Sequence, residues 1–452
     1  MNEKPDSKWL SLATVSILGQ APSFYTSTPN RSFIMSTYRQ VTLSIVLILI
    51  SSSFSIAHEH AIVDHHDVIH VDNTLTLSQV ITNTLEKFPD QLLSKALEQE
   101  ADALQQRGSS WLAGSARIAI SYLDDLPGDD IGSREIEAQL TLPLWNWGQR
   151  SAGQAVAEHA ANLANNQPLT TKLQVAGLVR TALWNMALEN IRYEQAKSIL
   201  EISEKLLNKI SRRVELGDLA RSDLLLAQSD QLQKRSLLLQ AEAEMMHARK
   251  TYMSLTQSNT IPSDYKEHLS SIVEVPETHS KLSAINALVD RKKAEVNWVK
   301  SAGSGQSSFI LGGRSEKGGE NSDDIESMSV GISIPFGGNA QLAPRVAAAN
   351  LELTKALAQR ARTRRNLEQQ HHEAKHALEI TRIELKMANE LKQIAESHLK
   401  MTQLSFSAGE INLMDLLKIQ ARSFNAIRHA KEHQVMFQKN IALYNQAVGV
   451  QP

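Results

Sequence analysis

The chain repeats itself. Pro143 and Pro335, Gln149 and Gln341, Gly217 and Gly409, Asp223 and Asp415, Gln228 and Gln420, and Tyr252 and Tyr444 share one offset of about 192 residues, and no gap is needed from the strand region to the end of the repeat. A period this long is too large for a solenoid unit, so it marks a duplicated half-domain. Each half carries the same order: a helix, two short strands, a long helix, a glycine turn and a long return helix.

Charge is abundant but balanced, with a net of −2, so the basic stripe of a nucleic-acid binder is missing. Aromatics make up 5% of the chain, which suits long helices more than a large globular core. There is no cysteine, which excludes disulfides, thiolate metal sites, a cysteine nucleophile and a lipoprotein anchor.

Met35, Arg39, the apolar run Val41 to Ile50 and the small-x-small step Ser55-Ile56-Ala57 have the layout of a secretory signal over residues 35–57. Residues 1–34 are expected to be disordered, or an upstream extension that is not native. The apolar run is too short to span a bilayer, and no other run of about 20 apolar residues exists. If this chain crosses a membrane, it must do so in a closed β-barrel. Residues 58–74 read as a mobile tail. His58, His60, His65, His66 and His70 concentrate five of the 15 histidines there, and imidazole with carboxylate suits divalent transition metals.

A helix is expected from Leu77 to Gln106, broken near Pro89. Strands follow, at about Ala116–Leu123 and Glu135–Leu142. In the second, Ile136, Ala138, Leu140 and Leu142 alternate with Glu135, Glu137, Gln139 and Thr141. The second copy sets Met328, Val330, Ile332 and Ile334 against Ser327, Ser329, Gly331 and Ser333. Loops at Asp124–Asp130 and Glu316–Glu320 read as solvent-facing hairpin tips. Pro143 and Pro335 end the strands. Trp145, Trp147 and Phe336 follow them, where aromatics suit a membrane–water interface or the cap of a soluble sheet.

Long helices are expected from Gln149 to Arg213 and from Gln341 to Ser407, with Pro344 in the first turn of the latter. Sixty-odd residues rise about 95 Å, and the three- and four-residue apolar spacing is that of a coiled coil. Return helices run from Leu219 to Leu255 and from Ile411 to Val448, and residues 259–278 link the two copies. The first repeat therefore covers 75–258 and the second 279–450. Four short strands cannot close a barrel, for which about eight is the lower limit, so several chains must contribute.

Two motifs complete the picture. Arg213-Val214-Glu215-Leu216-Gly217-Asp218-Leu219-Ala220-Arg221-Ser222-Asp223-Leu224-Leu225, with Ala227-Gln228, marks the first tip. Phe406-Ser407-Ala408-Gly409-Glu410-Ile411-Asn412-Leu413-Met414-Asp415-Leu416-Leu417, with Gln420, marks the second. With the duplication and the strand-end prolines, they make residues 75–450 resemble the TolC-like outer-membrane efflux proteins. The resemblance implies a mainly α fold with a small β part. In it, a trimeric α-helical barrel of coiled coils joins a shared twelve-stranded outer-membrane β-barrel. It further implies a homotrimer that works with a periplasmic adaptor and an inner-membrane pump, with no catalysis and no cofactor.

By the same resemblance, Gly217, Asp218, Leu219, Ala220, Gly409, Glu410 and Ile411 form adaptor-docking tips. The bland reading is that the glycines only supply turns with positive φ. Asp223, Phe406, Asp415 and Lys418 are assigned to the periplasmic aperture. Here an acidic ring would act on cations, whereas a plain helix N-terminal carboxylate would need no such role. The pattern departs from the family at Lys418, where some members carry a second Asp. It departs again at Phe406 and Ile411, which replace the closing aromatic and arginine of some members.

His372-Glu373-Ala374-Lys375-His376 fits the zinc-hydrolase spacing, but its polar flanks and the lack of a third-ligand motif favour a solvated helix face. The cargo expected is divalent metal cations, with a pump of the proton-driven cation type. Drug-like compounds and secreted polypeptides are the alternatives. A periplasmic coiled-coil scaffold is the reading from another class.

Overall fold

The computed structural model describes residues 68–125, 132–319 and 322–452. The signal segment, the upstream extension and His58, His60, His65 and His66 lie outside them. The described residues belong to one compact unit, His66–Pro452.

The chain enters through β1 (His70–Asp72), α1 (Leu77–Lys87) and α2 (Gln91–Ser109). Thr76 opens α1 with a capping box: its hydroxyl accepts the Gln79 N–H, and the Gln79 side chain accepts the Thr76 N–H. Then come β2 (Arg117–Asp124), β3 (Ser133–Pro143), α3 (Gln149–Glu215) and the return helix α4 (Arg221–Thr256). After β4 (Thr260–Pro262), the second copy runs α5 (Ser280–Ser301), β5 (Ser308–Gly318), β6 (Asp324–Ser333), α6 (Asn339–Ser407) and α7 (Leu413–Ala447). Shifted by the repeat offset, α2 falls on α5, β2 and β3 on β5 and β6, and α3 and α4 on α6 and α7.

The long helices span 67 and 69 residues, about 100 Å each at 1.5 Å per residue. Pro168 does not stop α3. Around it, Asn166 donates to the Asn162 carbonyl and Thr171 to that of Gln167, while Thr170 donates to Ser280 at the start of α5. Pro344 lies in the second turn of α6, because that helix begins at Asn339 rather than Gln341. Toward the sheet, α3 packs between α2 and α5, and α5 packs on α6. Toward the turns the order is α4, α3, α7, α6, with α3 against α7 joining the two hairpins.

Four strands form one antiparallel sheet in the order β2-β3-β5-β6, so the two repeats join at its centre, and among the described residues both edges stay open. Ile118, Leu140, Leu311 and Val330 form one cross-strand row, and Ile120, Ala138, Gly313 and Met328 the next. On the other face, Glu137 sits opposite Arg314, which pairs at 2.9 Å with both Glu135 and Glu316. The apolar face is bare: Ile120 is 76% exposed and Met328 86%. Strands of 8, 11, 11 and 10 residues approach the length needed to cross a bilayer, and lipid would cover such a face. Glu316, Lys317 and Gly318, expected in a hairpin tip, extend β5, because its ladder with β3 continues to Gly318.

The segment between the repeats does more than link them. β4 pairs in parallel with β1, so His70, expected in a mobile tail, is a strand residue whose N–H donates to Asn259. Three-residue strands carry no readable period, which is why both were missed. Further along, Glu267 clamps the fully buried Arg180 of α3 through two hydrogen bonds of 2.8 and 2.7 Å, while Gln446 of α7 takes another guanidinium N–H. Asn445 accepts from the Ser270 N–H, and the Tyr444 hydroxyl donates to Ile272. The segment thus straps α3 to α7 above a core of Val80, Ile81, Val175, Val179, Leu183 and Tyr252.

Candidate functional site

The two glycine turns end α3 and α6 in the same way. Gly217 has φ +78° and Gly409 +80°. The Gly217 N–H donates to Val214 and that of Asp218 to Arg213; the Gly409 N–H donates to Phe406 and that of Glu410 to Ser405. These paired bonds define the Schellman ending, whose left-handed position favours glycine. The return helices start differently. Ala220 caps α4 without a side-chain bond, while at the equivalent place in α7 the Asn412 side chain accepts the Asp415 N–H at 2.8 Å. Asn412 was not singled out from sequence, although an asparagine three residues before the first-turn acid is a recognisable N-cap.

A shared apolar cluster brings the turns together: Leu206, Ile210 and Ala227 from the first, Phe406, Leu413 and Leu416 from the second. Leu219 and Ile411 pack partly against it. Gly217, Asp218, Ala220, Gly409 and Glu410 are exposed. Asp223 is half-buried, whereas Asp415 and Lys418 are exposed on the first turns of α7. Phe406, expected at the aperture, is instead buried within the cluster, with the Arg213 guanidinium 5.5 Å from its ring centroid. There it packs in the cluster that joins the two turns. Arg213 also pairs with Asp218 at 2.6 Å, so one side chain ties the first turn to the second.

Beside the cluster runs a groove of about 760 Å³ between α3 and α6. Leu206, Phe406 and Leu416 line it, along with Lys205, Lys209 and Arg212 on α3 and Gln403 and Ser407 on α6.

Trp147 and Phe336 are exposed just after β3 and β6, and Trp111, not singled out from sequence, is 92% exposed as well. Trp145 differs. It is half-buried, its indole N–H donates to Ser110 at 3.0 Å, and its ring lies edge-on to Trp298. The chain turning into α3 folds that ring inward, so it is a junction residue. On α6, His372, Glu373 and His376 are all exposed, and Glu373 accepts a hydrogen bond from Gln369. Their face is solvated.

Residues 97–256 match the protein family described as outer membrane efflux protein. In structure the chain is similar to the outer membrane protein VceC of Vibrio cholerae, at TM-score 0.67 and 14% identity over 82% of this chain and 96% of that one. It is also similar to the CmeC outer membrane channel of Campylobacter jejuni, at TM-score 0.65 and 15% identity over 82% and 85%. A third is CusC, described for its transmembrane channel formation, at TM-score 0.66 and 13% identity over 84% and 93%. No curated protein matches the chain in sequence.

The fold is therefore that of the TolC-like outer-membrane channels. The likeness to the outer membrane efflux protein family covers 97–256, within the first repeat.

Proposed function

We propose that this chain is a homotrimeric export conduit. In this reading it receives divalent metal cations from an inner-membrane pump of the proton-driven cation type, through a periplasmic adaptor. The observation that carries the reading is the four-stranded sheet, with a bare apolar face and two open edges, mounted on helices of about 100 Å. Three copies supply twelve strands, enough to close a barrel and satisfy every edge. Trp147, Phe336 and Trp111 ring its periplasmic rim. The turns at Gly217–Ala220 and Gly409–Ile411 meet the adaptor, and Asp223, Asp415 and Lys418 set the charge of the aperture. The chain itself performs no catalysis.

Metal cargo is supported by the histidines at 58, 60, 65, 66 and 70, a set of borderline-soft ligands of which His70 lies in β1. The test is growth of a deletion strain on divalent metals and on unrelated antimicrobials, complemented by the full chain and by one lacking residues 58–67. That deletion spares the β1–β4 pairing. Selective metal sensitivity, restored by the full chain and not by the shortened one, is the expected result. Broad drug sensitivity with untouched metal tolerance would sink the metal reading and leave a drug-export channel.

A further inference from the structure

The groove at the tip has a chemical polarity that the duplication did not dictate. Its floor is apolar, made by Leu206, Phe406 and Leu416. Its α3 wall is cationic. Lys205 and Lys209 stand one helical turn apart, both exposed, and neither has an ion-pair partner among the described residues. Arg212 is partnered by Glu215 at 3.2 Å. Among the lining residues the one carboxylate is that of Asp218, which Arg213 holds at 2.6 Å. The α6 wall, Gln403 and Ser407, is neutral.

In the second copy, the places of Lys205, Lys209 and Arg212 are taken by Ser397, Met401 and Leu404. Met401 is exposed and continues a stripe of exposed Ile380, Ile383, Met387, Leu391 and Ile394 along α6. At about 100° per residue, that stripe lies on the side of α6 opposite Gln403 and Ser407. The apolar stripe and the charged groove therefore face different neighbours. The stripe suits another copy of the chain, and the groove suits a partner that carries charge.

We propose that this groove seats an amphipathic helix whose apolar stripe is flanked on one side by carboxylates, and that Lys205 and Lys209 read that flank. The inference rests on the docking of an adaptor at the tips and adds the chemistry by which the right adaptor is chosen. Exposed charge pairs contribute little each, but two lysines on one wall reject a cationic flank as well as attract an anionic one. They set the orientation of the helix in the groove, because only one wall is charged.

The probes are two stapled helical peptides sharing a leucine stripe, one with a glutamate flank and one with a lysine flank, titrated by fluorescence anisotropy onto the detergent-solubilised full-length protein. The glutamate peptide is expected to bind on the order of tenfold more tightly at low ionic strength. The preference should shrink in salt and invert in the Lys205→Glu/Lys209→Glu variant. Because the chain has no cysteine, Ser407→Cys supplies a single thiol in the groove for a bromoacetyl-peptide, with Ile394→Cys as the control on the opposite side. Equal affinity of the two peptides, with capture at Ser407→Cys, overturns the charge selection and leaves docking in place. Absence of binding and of capture overturns the docking reading as well.

Discussion

At the scale of single residues, two glycines set where the chain reverses. A Cβ added at Gly217 or Gly409 meets nothing within 4 Å, so a substitution there acts through the backbone alone. Both have φ near +80°, where an L side chain costs roughly 1–2 kcal/mol. Gly217→Ala and Gly409→Ala are expected to lower stability by about that much each, with Asn milder than Ala at both places. Thermal unfolding followed by far-ultraviolet circular dichroism checks this, and unchanged melting in both Ala variants would contradict the Schellman assignment. The turn glycines were legible because a Gly between two periodic helices has a short list of uses. Phe406 was not legible in the same way. Sequence places it one turn before the glycine but does not say which face of α6 meets α7, and burial was decided by the Leu413 and Leu416 side chains that arrive from the other side.

At the scale of elements, the long helices and the alternating strands were readable from period alone, and the repeat fixed each boundary twice. What escaped were contacts between elements of different origin. β1 and β4 are too short to carry a period, and the inward turn of Trp145 depends on Ser110 and Trp298, distant in sequence. His279 belongs with these. It is buried at the start of α5, where its Nδ1 accepts the Lys281 N–H, and its ring lies under the turn at Gly449 that ends α7. Burial, with Lys281 adding to it, pushes its pKa down to about 4. Folded His279 is therefore neutral between about 4 and the ordinary value of 6.5, while the unfolded chain binds a proton there. More protons on the unfolded state mean that stability rises with pH in this window, and is lost as pH falls from 6.5 toward 4. The full swing is on the order of 3 kcal/mol. His279→Asn keeps a capping side chain and removes the titration, so its stability, measured by denaturant unfolding at pH 7 and pH 5, should change less between the two than that of the parent. An equal change in both proteins would assign the acid sensitivity to other groups.

At the scale of the whole molecule, the features left over within one chain point the same way. Among the described residues the sheet ends in two unpaired edges, β2 and β6. In the helical layer α4 and α6 are the outer members. Each carries exposed apolar residues at coiled-coil spacing: Leu225, Leu232 and Leu239 on α4, and Ile380, Ile383, Met387, Leu391 and Ile394 on α6. A ring in which α6 of one copy meets α4 of the next covers both stripes with the same operation that pairs β6 with the neighbour's β2. Burying an Ile or Met side chain contributes about 1.5–3 kcal/mol, so two of them at each seam of a closed ring outweigh what any single exposed ion pair there could supply. Ile383→Glu with Met387→Glu places two carboxylates in every such seam. If the proposed trimer forms, this variant is expected to be monomeric in detergent, read by mass photometry, and to lack heat-modifiable migration, because four strands cannot close a barrel. Ile383→Leu with Met387→Leu should leave both unchanged. A glutamate variant that stays trimeric would show that the seam lies elsewhere, and the exposed stripe on α6 would then need another occupant.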